Sequence, residues 1–213
     1  MITHKEPLER PHIGLGLLFH LRGGPLGRRT LVERTGWTES VVRTELEKLE
    51  AQGWVEFAKP GTSLTEIGAA RLEGVFGRIR RVTLALDLVE VHLDRTNCAA
   101  LVRGVAQVPK TWQMRDAAVR EGASGILVLA REQTALHLVD VEASFSRRNS
   151  QDTARIERDL GPLEPGDWIV IAFATSEGLA SAALWRAMSE ALSVPALDRP
   201  PRGAERGSAR ESA

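Results

Sequence analysis

Polar side chains on one predicted helix carry chemistry that suits DNA. The guanidinium of Arg43 can donate to both acceptors on the edge of guanine, and the hydroxyls of Ser40 and Thr44 can bond bases or phosphates. Lys48 lies one helical turn beyond Thr44 on the same face and adds a cation. The types and the spacing of these residues predict a helix that contacts double-stranded DNA.

Three more cations are placed to hold the DNA backbone. Arg28 and Arg29 open the preceding predicted helix, and a helix N-terminus that carries two guanidiniums suits a phosphate. Lys59 lies in a predicted turn, from which it could reach the backbone or the minor groove. Together with the helix residues they define the predicted DNA-binding surface.

The same helix also carries charges that oppose this interpretation. Glu39, Glu45 and Glu47 repel phosphate and weaken the electrostatic attraction to DNA. Arg43 and Glu47 have the i,i+4 spacing of a helical ion pair, so the guanidinium could be partly occupied on its own helix. A module that binds protein rather than DNA is therefore the alternative.

The elements that position these side chains follow from apolar periodicity and turn residues. Helices are predicted from Pro11 to the stop at Gly23-Gly24-Pro25, over Arg28–Thr35 and over Glu39–Gln52. Gly36 is placed to end the second helix, and Thr38 is placed to cap the third. The segment between the second and third helices is therefore a tight turn.

A short wing and a fourth helix follow. Trp54–Ala58 alternates like a strand, residues 59–62 form a turn, and Ser63–Thr65 is a return strand or the start of a helix. Either Ser63 or Thr65 could cap the fourth helix, which is predicted to end at Arg78–Arg81. This order of helices and strands predicts a winged helix-turn-helix over residues 1–81.

Beyond residue 81 the pattern changes to strands that alternate with helices. Strands are predicted over Val82–Leu93, Ala99–Val105, Gly125–Arg131, Ala135–Val141 and Trp168–Ala174. Helices are predicted over Lys110–Glu121, Gln151–Leu160 and Leu179–Leu192, with Phe145–Asn149 as a polar loop. Because Trp168–Ala174 is apolar throughout, it resembles a central strand that is buried on both faces.

These patterns predict an α+β chain. After the winged helix, residues 82–194 form an α/β-type domain on one mixed sheet, which would bind an effector or form a dimer contact. Residues 195–213 are rich in Pro, Gly, Ser and Arg without periodicity, and they are predicted to be a disordered tail.

Two polar pairs in the second domain could bind a small anionic ligand. Arg115 and Asp116 would lie at the mouth of a pocket, the first binding the anion and the second orienting it. Thr175 and Ser176 join an apolar strand to a helix N-terminus, where ligands bind in α/β sheets. The alternatives are local, since Asp116 could pair with Arg120 and Ser176 could serve only as a helix cap.

The remaining reactive residues predict no cofactor and no metal site. His92, Cys98 and His137 fall on separate predicted segments without zinc spacing, and no glycine-rich nucleotide motif occurs. The single cysteine excludes an intrachain disulfide, and Cys98 is predicted to be a buried structural thiol because no base is identified for it. His20 could titrate near neutral pH.

Composition and charge are those of an ordinary globular protein, with 43% hydrophobic and 26% charged residues. The longest apolar runs are too short to span a bilayer and the N-terminus is no signal peptide, so a cytoplasmic location without a membrane partner is expected. The net charge is zero, but residues 1–81 hold 13 Lys and Arg against 10 Asp and Glu, whereas residues 82–213 hold 15 against 18. The sign of this asymmetry fits a first half that binds DNA.

The run from Gly24 to Gly68 resembles the N-terminal winged helix of the central glycolytic genes regulator. The shared features are the Pro25-x-Gly27-Arg28-Arg29 opening, the Val41-x-Arg43-x-Glu45 pattern on the third helix and the Leu64-Thr65-x-x-Gly68 step after the wing. The likeness stops at the wing, and the sugar-phosphate domain of that regulator has no counterpart here. The resemblance implies that the first domain binds DNA.

To about Leu192 the chain is also similar to a family of uncharacterised, mainly archaeal proteins, in which a winged helix precedes a domain of unknown function. The shared, colinear segments are Val42-Arg43-Thr44, Ser63-Leu64-Thr65, Val102-Arg103-Gly104, Arg115-Asp116-Ala117-Ala118 with Gly122-Ala123, and Gly166-Asp167. Gly125-Ile126 departs from the family, which tends to have a second Gly-Ala there. The resemblance implies a transcriptional regulator and brings no known ligand.

Pattern and resemblance together predict a regulator that binds double-stranded DNA as a homodimer. The recognition helices of a dimer would meet half-sites about one helical turn apart, and the second domain would bind an unidentified small-molecule effector. The fourth helix and the second-domain sheet are both candidate dimer surfaces. The alternatives are an enzyme with a catalytic second domain and a winged helix that only binds protein.

Overall fold

Helices and strands alternate along the chain in the computed structural model, which describes residues 11–104, 110–141 and 143–192. The helices are α1 Pro11–Leu21, α2 Arg28–Thr35, α3 Glu39–Ala51, α4 Glu66–Phe76, α5 Thr111–Arg120, α6 Phe145–Arg148, α7 Ser150–Leu160 and α8 Glu177–Ala191. The strands are β1 Val55–Ala58, β2 Gly61–Leu64, β3 Ile79–Leu84, β4 Thr96–Val102, β5 Gly125–Glu132, β6 Ala135–Leu138 and β7 Trp168–Ala174. The predicted tail at 195–213, the first ten residues and Val105 lie outside the described residues.

The first part of the chain has the predicted winged-helix order. β1 and β2 form an antiparallel hairpin, in which Val55 pairs with Leu64 and Ala58 with Gly61. Of the two candidate caps for α4, Thr65 takes the role, because its hydroxyl accepts the N–H of Gly68 at 3.1 Å. The α+β class is therefore confirmed, with a helical first domain and a sheet in the second.

The fourth helix ends earlier than its apolar pattern predicts, so the predicted end at Arg81 was wrong. The guanidinium of Arg22 donates to the carbonyl oxygens of Phe76 at 3.0 Å and of Ile79 at 2.7 Å. It thereby satisfies the carbonyl of the last helical residue and one carbonyl that follows the helix. Ile79 then begins β3 with its side chain fully buried. The predicted domain boundary at residue 81 lies inside this strand and stays a prediction.

The second domain has one sheet, but the sheet is antiparallel throughout and not mixed as predicted. Its order is β3-β4-β7-β5-β6, and each neighbouring pair is antiparallel. The alternation of strands and helices suggested parallel neighbours. β4 and β5 do run in the same direction on either side of α5, but β7 inserts between them and opposes both.

The central strand β7 is apolar on both faces because both faces are covered, as predicted. One face carries Trp168, Val170 and Ala172, which share a core with α1, α5, α8 and the winged helix. The other face carries Ile169, Ile171 and Phe173, which pack with residues of α6 and α7. Alternate side chains of a strand point to opposite faces, so one run of apolar residues serves two cores.

Two other predicted elements were wrong in extent. β3 ends at Leu84, where the prediction extended the strand to Leu93; after the strand, buried Asn97 bonds both the N–H and the carbonyl of Leu86, at 2.9 and 3.0 Å. The predicted polar loop at Phe145–Asn149 is largely the short helix α6. Its first residue, Phe145, is only 2% exposed, and burial of this ring fixes the segment against the sheet.

Two of the segments shared with the archaeal family meet in a structural ion pair. Arg103, after the end of β4, donates through Nε and Nη2 to both carboxylate oxygens of Asp167, each at 2.9 Å. Asp167 precedes β7 and is 1% exposed. Hydrogen bonding to Asp167 raises the pKa of the Arg103 guanidinium. The pair therefore clamps the adjacent ends of two central strands.

The loop after β3 is held by one buried carboxylate at the start of α7. Asp152 has no exposed surface, and it accepts the backbone N–H groups of Val89 at 2.6 Å, Glu90 at 3.0 Å and Val91 at 2.8 Å. Three donors on one buried carboxylate are costly to leave unmatched. Asp152 therefore fixes the loop to the helix.

Replacing Asp152 by alanine is expected to lower the free energy of unfolding by about 2–3 kcal/mol, because the backbone donors lose their acceptor. Gln151→Ala removes an exposed neighbouring side chain and should change this free energy by less than about 0.5 kcal/mol. Urea unfolding followed by circular dichroism measures both. Equal stability of the two variants would contradict the role assigned to Asp152.

Candidate nucleic-acid interface

The third helix is fixed by an apolar face and by a cap at its start. Val42, Leu46 and Leu49 are fully buried, so α3 presents its opposite side to solvent. The hydroxyl of Thr38 accepts a backbone N–H within the first turn of α3, as predicted, and Gly36 adopts a left-handed φ of 70° between α2 and α3. This is a helix-turn-helix with α3 as its exposed recognition helix.

The wing is tied to the start of α2 by a further pair of backbone hydrogen bonds. Leu26 and Thr62 exchange N–H···O bonds of 2.9 Å in both directions. A Cβ atom on Gly61 would lie 2.5 Å from the carbonyl oxygen of Leu26, so a side chain does not fit at this crossing. The pairing brings the wing next to Arg28.

An open cleft of about 460 Å³ lies between α2, α3 and the wing. Its walls include Arg28, Arg43, Glu47 and Phe57. Arg43 is exposed, and within the described ranges it makes no ion pair, so the anticipated pairing with Glu47 is not formed. The guanidinium of Arg43, which is the best placed to reach a base edge, is therefore not engaged by a carboxylate of its own helix.

The other predicted contact residues at this surface are also accessible. Exposed side chains are those of Arg28, Arg29, Ser40, Thr44 and Lys59. Arg29 pairs with Glu33 at 3.0 Å, but both side chains are largely in solvent, which weakens the pair. The Ser40 hydroxyl lies 3.4 Å from the capping hydroxyl of Thr38. Apart from this hydroxyl contact and the weak Arg29 pair, these five side chains keep their donors available for a ligand within the described ranges.

Lys48 and Glu45 depart from the predicted outward face of α3. Glu45 is only 6% exposed, and the Nζ of the partly buried Lys48 lies 3.2 Å from its Oε1. The pair removes one cation from the predicted DNA surface and one carboxylate from the group that opposes DNA. Glu39 and Glu47 are the glutamates of that group that remain at the surface.

Phe57 is a member of this surface that the sequence analysis missed. β1 begins with Val55 buried in the core, but the strand then leaves the core, and Phe57 is 48% exposed at the wall of the cleft. An aromatic residue two positions before the wing turn was the available signal. Its ring offers apolar contact to a thymine methyl group or to a protein partner.

Two titratable groups, the partly buried His20 and the fully buried Cys98, are held neutral. Burial first, and then the charges of Arg34 and Arg22, lower the pKa of His20 to about 4, so the prediction that this imidazole titrates near neutral pH was wrong. Burial raises the pKa of the Cys98 thiol to about 12. Cys98 is therefore the buried, unreactive thiol that was predicted.

The turn of the helix-turn-helix packs directly on the start of α8. The indole Nε1 of Trp37 donates to the carbonyl oxygen of Gly178 at 3.0 Å. A Cβ atom on Gly178 would come within 2.7 Å of the carbonyl oxygen of Gly36, so the two backbones touch where neither residue has a side chain. The turn that leads into the recognition helix is thus in direct contact with the second domain.

Thr175 and Ser176 lie between β7 and α8, immediately before that contact. The hydroxyl of Ser176 accepts the N–H of Leu179 at 3.4 Å, which is the role of a helix cap. Ligands bind at strand ends where an α/β sheet reverses its order, and this antiparallel sheet lacks that geometry. The structural basis for an anion site at Thr175 and Ser176 is therefore weaker than the pattern predicted.

Arg115 lines a smaller cleft of about 170 Å³ between α5 and the β5–β6 hairpin, with Trp112 and Asp140 in the same wall. Asp116 is not among the lining residues, and its Oδ1 lies 3.5 Å from Nη2 of Arg115. Thr175 does not line this cleft either. Of the four predicted ligand residues, Arg115 is therefore the one that lines this cleft.

Comparison with known families covers both parts of the chain. Residues 20–76 match the model of the CggR N-terminal DNA binding domain, and residues 93–192 match DUF4443, a domain of unknown function. The chain fits an uncharacterised archaeal regulator family. The first match ends at Phe76, where α4 ends, and it contains α2, α3 and the wing. The predicted DNA-binding surface therefore lies within the residues that match this domain.

A hypothetical protein from Pyrococcus horikoshii OT3 has a similar fold, with a TM-score of 0.63 at 20% identity over 84% of this chain and 91% of that chain. No curated protein matches. In the described ranges, no helix has the length and apolar character that a membrane crossing needs. The family match and the fold thus support a CggR-type DNA-binding domain followed by a DUF4443 domain.

Gly61→Ala is expected to separate the wing from the start of α2 and to lower the free energy of unfolding by about 1–3 kcal/mol, because the new Cβ atom overlaps the backbone at Leu26. Gly74→Ala is the matched control, since a Cβ atom there meets nothing within 4 Å and helical alanine is favoured over glycine by up to about 1 kcal/mol. Thermal unfolding of both variants tests the difference. An unchanged melting temperature for Gly61→Ala would show that the close approach is not required.

Proposed function

We propose that this protein is a transcriptional regulator that acts in the cytoplasm as a homodimer and binds double-stranded DNA through α3. The observation that carries the proposal is the exposed Arg43 on the recognition helix, which has no ion pair within the described ranges. The match of the surrounding residues to a DNA-binding domain supports it, and favours a regulator over an enzyme.

In the proposed complex α3 lies in the major groove. Arg43 donates to the acceptors of a guanine, and Ser40 and Thr44 contact neighbouring bases or phosphates. Glu47 lines the same cleft as Arg43 and would face the DNA as an unfavourable charge. Base recognition therefore depends on the guanidinium more than on the net charge of the helix.

The phosphate backbone is held on both sides of α3 in this proposal. Arg28 and Arg29 at the N-terminus of α2 bind a phosphate on one side, and Lys59 at the wing reaches the backbone or the minor groove on the other. Lys48 adds less than its sequence position suggested, because it keeps its ion pair with Glu45.

Arg43→Ala is expected to weaken binding to a fragment from the gene's own upstream region by roughly ten- to a hundredfold, because a bidentate base contact is lost. Arg148→Ala removes an exposed arginine of the second domain and should leave the affinity within about twofold, since distant charges are screened. Fluorescence anisotropy at two salt concentrations measures both affinities.

The same titration includes a variant with the opposite expectation. Glu47→Gln removes a carboxylate beside Arg43 and should tighten binding. An Arg43→Ala variant that binds as tightly as the parent would contradict the base contact. If no variant binds DNA at low salt, the protein-interaction alternative gains, and the exposed Phe57 on the wing is the feature that favours it.

We further propose that the DUF4443 domain binds a small-molecule effector and passes its state to α3. Arg115 in its cleft is the proposed anion ligand, with Asp116 beside it. Thr175 and Ser176 lie at the other end of the route, where β7 leads into α8. Since α8 starts against the turn before α3, a displacement of α8 would move the recognition helix.

Gly178→Ala tests this route, because its Cβ atom would press on the carbonyl oxygen of Gly36. We expect this substitution to lower DNA affinity several-fold, although Gly178 lies outside the residues that match the DNA-binding domain. Ser189→Ala is the control on the same helix, where the hydroxyl only bonds the carbonyl of Arg186. Anisotropy is measured below the melting temperature of both variants. Unchanged DNA affinity in a folded Gly178→Ala variant would contradict the proposed coupling between α8 and α3.

A further inference from the structure

The outer face of α5 exposes two large apolar side chains, and within the described ranges no other element covers them. Trp112 is 53% exposed and Val119 is 48% exposed, although both are large hydrophobic residues. The opposite face, with Met114, Ala117 and Ala118, is buried in the second domain. The helix is therefore already anchored by one side, and the stripe from Trp112 to Val119 on its other side is left to solvent.

Two more exposed apolar residues extend this stripe at its ends. Val141 is 56% exposed and lines the same small cleft as Trp112, near the start of α5. Leu179 is 40% exposed and lies 3.4 Å from the position of a Cβ atom on Gly122, just past the end of α5. Half of the eight large hydrophobic residues that are exposed in the described ranges thus lie on this surface, as expected for an interaction site.

The middle of the stripe carries one charge of each sign. Arg115 and Asp116 are 60% and 46% exposed, and their mutual contact of 3.5 Å is long for an ion pair in solvent. Neither charge is therefore strongly satisfied within its own chain. A partner for this face must offer an anion opposite Arg115, a cation opposite Asp116, and apolar side chains at both ends.

A second copy of α5 meets that description. When two copies pack antiparallel about a two-fold axis midway between residues 115 and 116, Arg115 faces the partner's Asp116, and Trp112 faces the partner's Val119. Successive residues of a helix are rotated by about 100° around its axis. Arg115 with Asp116, and Trp112 with Val119, are therefore centred on the same side of α5. All four residues lie within about 5 Å of the axis along the helix, so the pairs persist over a range of crossing angles.

We propose that α5 is the homodimer interface of this protein, packed antiparallel against α5 of a second copy. This inference rests on the homodimeric regulator proposed above and names its surface, which differs from both surfaces that the sequence suggested. A two-fold interface must be self-complementary, and the order apolar, positive, negative, apolar along α5 fulfils that condition. Because Arg115 also lines the small cleft, an anion bound there would compete with the partner's Asp116.

Charge reversal in the full-length chain tests the interface by sedimentation velocity without DNA. Arg115→Asp and Asp116→Arg each place like charges together twice across the axis, so each variant alone should become monomeric, with a dimer dissociation constant raised at least about tenfold. An equimolar mixture of the two variants should restore a dimer, since each chain then supplies the charge that the other lacks. The doubly exchanged chain, Arg115→Asp with Asp116→Arg, should also dimerise.

Arg120→Asp is the matched control, since this exposed cation is on the same helix but lies roughly 90° around it from the direction of the two-fold axis. It should leave the mass unchanged. Restoration by mixing shows at once that both single variants are folded. A parent chain that is monomeric at all concentrations, single variants that stay dimeric, or a mixture that stays monomeric would each overturn the proposal. Because DNA is absent, these outcomes are independent of whether α3 binds DNA.

Discussion

The structure depends on the close packing of α1 against two tryptophans. A Cβ atom on Gly16 would lie 2.6 Å from the ring of Trp37 and 2.8 Å from the indole nitrogen of Trp185. Trp37 belongs to the helix-turn-helix and Trp185 to α8, so α1 is held between the two parts of the chain by contacts that leave no room for a side chain. One continuous hydrophobic core therefore includes the winged helix and one face of the five-stranded sheet.

This shared core changes what regulation would require. A winged helix on a loose tether can respond to a ligand only by a change in its average position. Here the turn before α3 bonds the first turn of α8 through Trp37 and Gly178, and α8 lies on the central strands. A signal therefore needs two packed arrangements of α8 with different affinities for a ligand, because packed interfaces shift between discrete states more readily than they deform.

Local chemistry determined the parts of the fold that the sequence predicted well. β7 was recognisable because burial on both faces requires an unbroken apolar run. Thr38 was recognisable as a helix cap because a capping hydroxyl bonds a backbone N–H within one turn. The errors came from distant partners. Arg22 satisfies carbonyls at and just after the end of α4, and the insertion of β7 between β4 and β5 makes the sheet antiparallel. At the candidate site, the residue types on α3 were predictable, but the approach of the wing to Arg28 depends on the Leu26–Thr62 pairing, which no local pattern reveals.

The neutral net charge of the chain matters less for DNA binding once the positions of the individual charges are known. Charges further than about 8 Å from a phosphate are largely screened at physiological salt, so the acidic excess of the second half matters only where its residues come that close to bound DNA. Within that range, burial of Glu45 against Lys48 cancels one charge of each sign. The exposed guanidiniums are then opposed by Glu39 and Glu47, and the general attraction to DNA stays modest. In the proposed complex, affinity would come from base contacts made by Arg43 and from two such helices in one dimer, an arrangement that favours specific over non-specific binding.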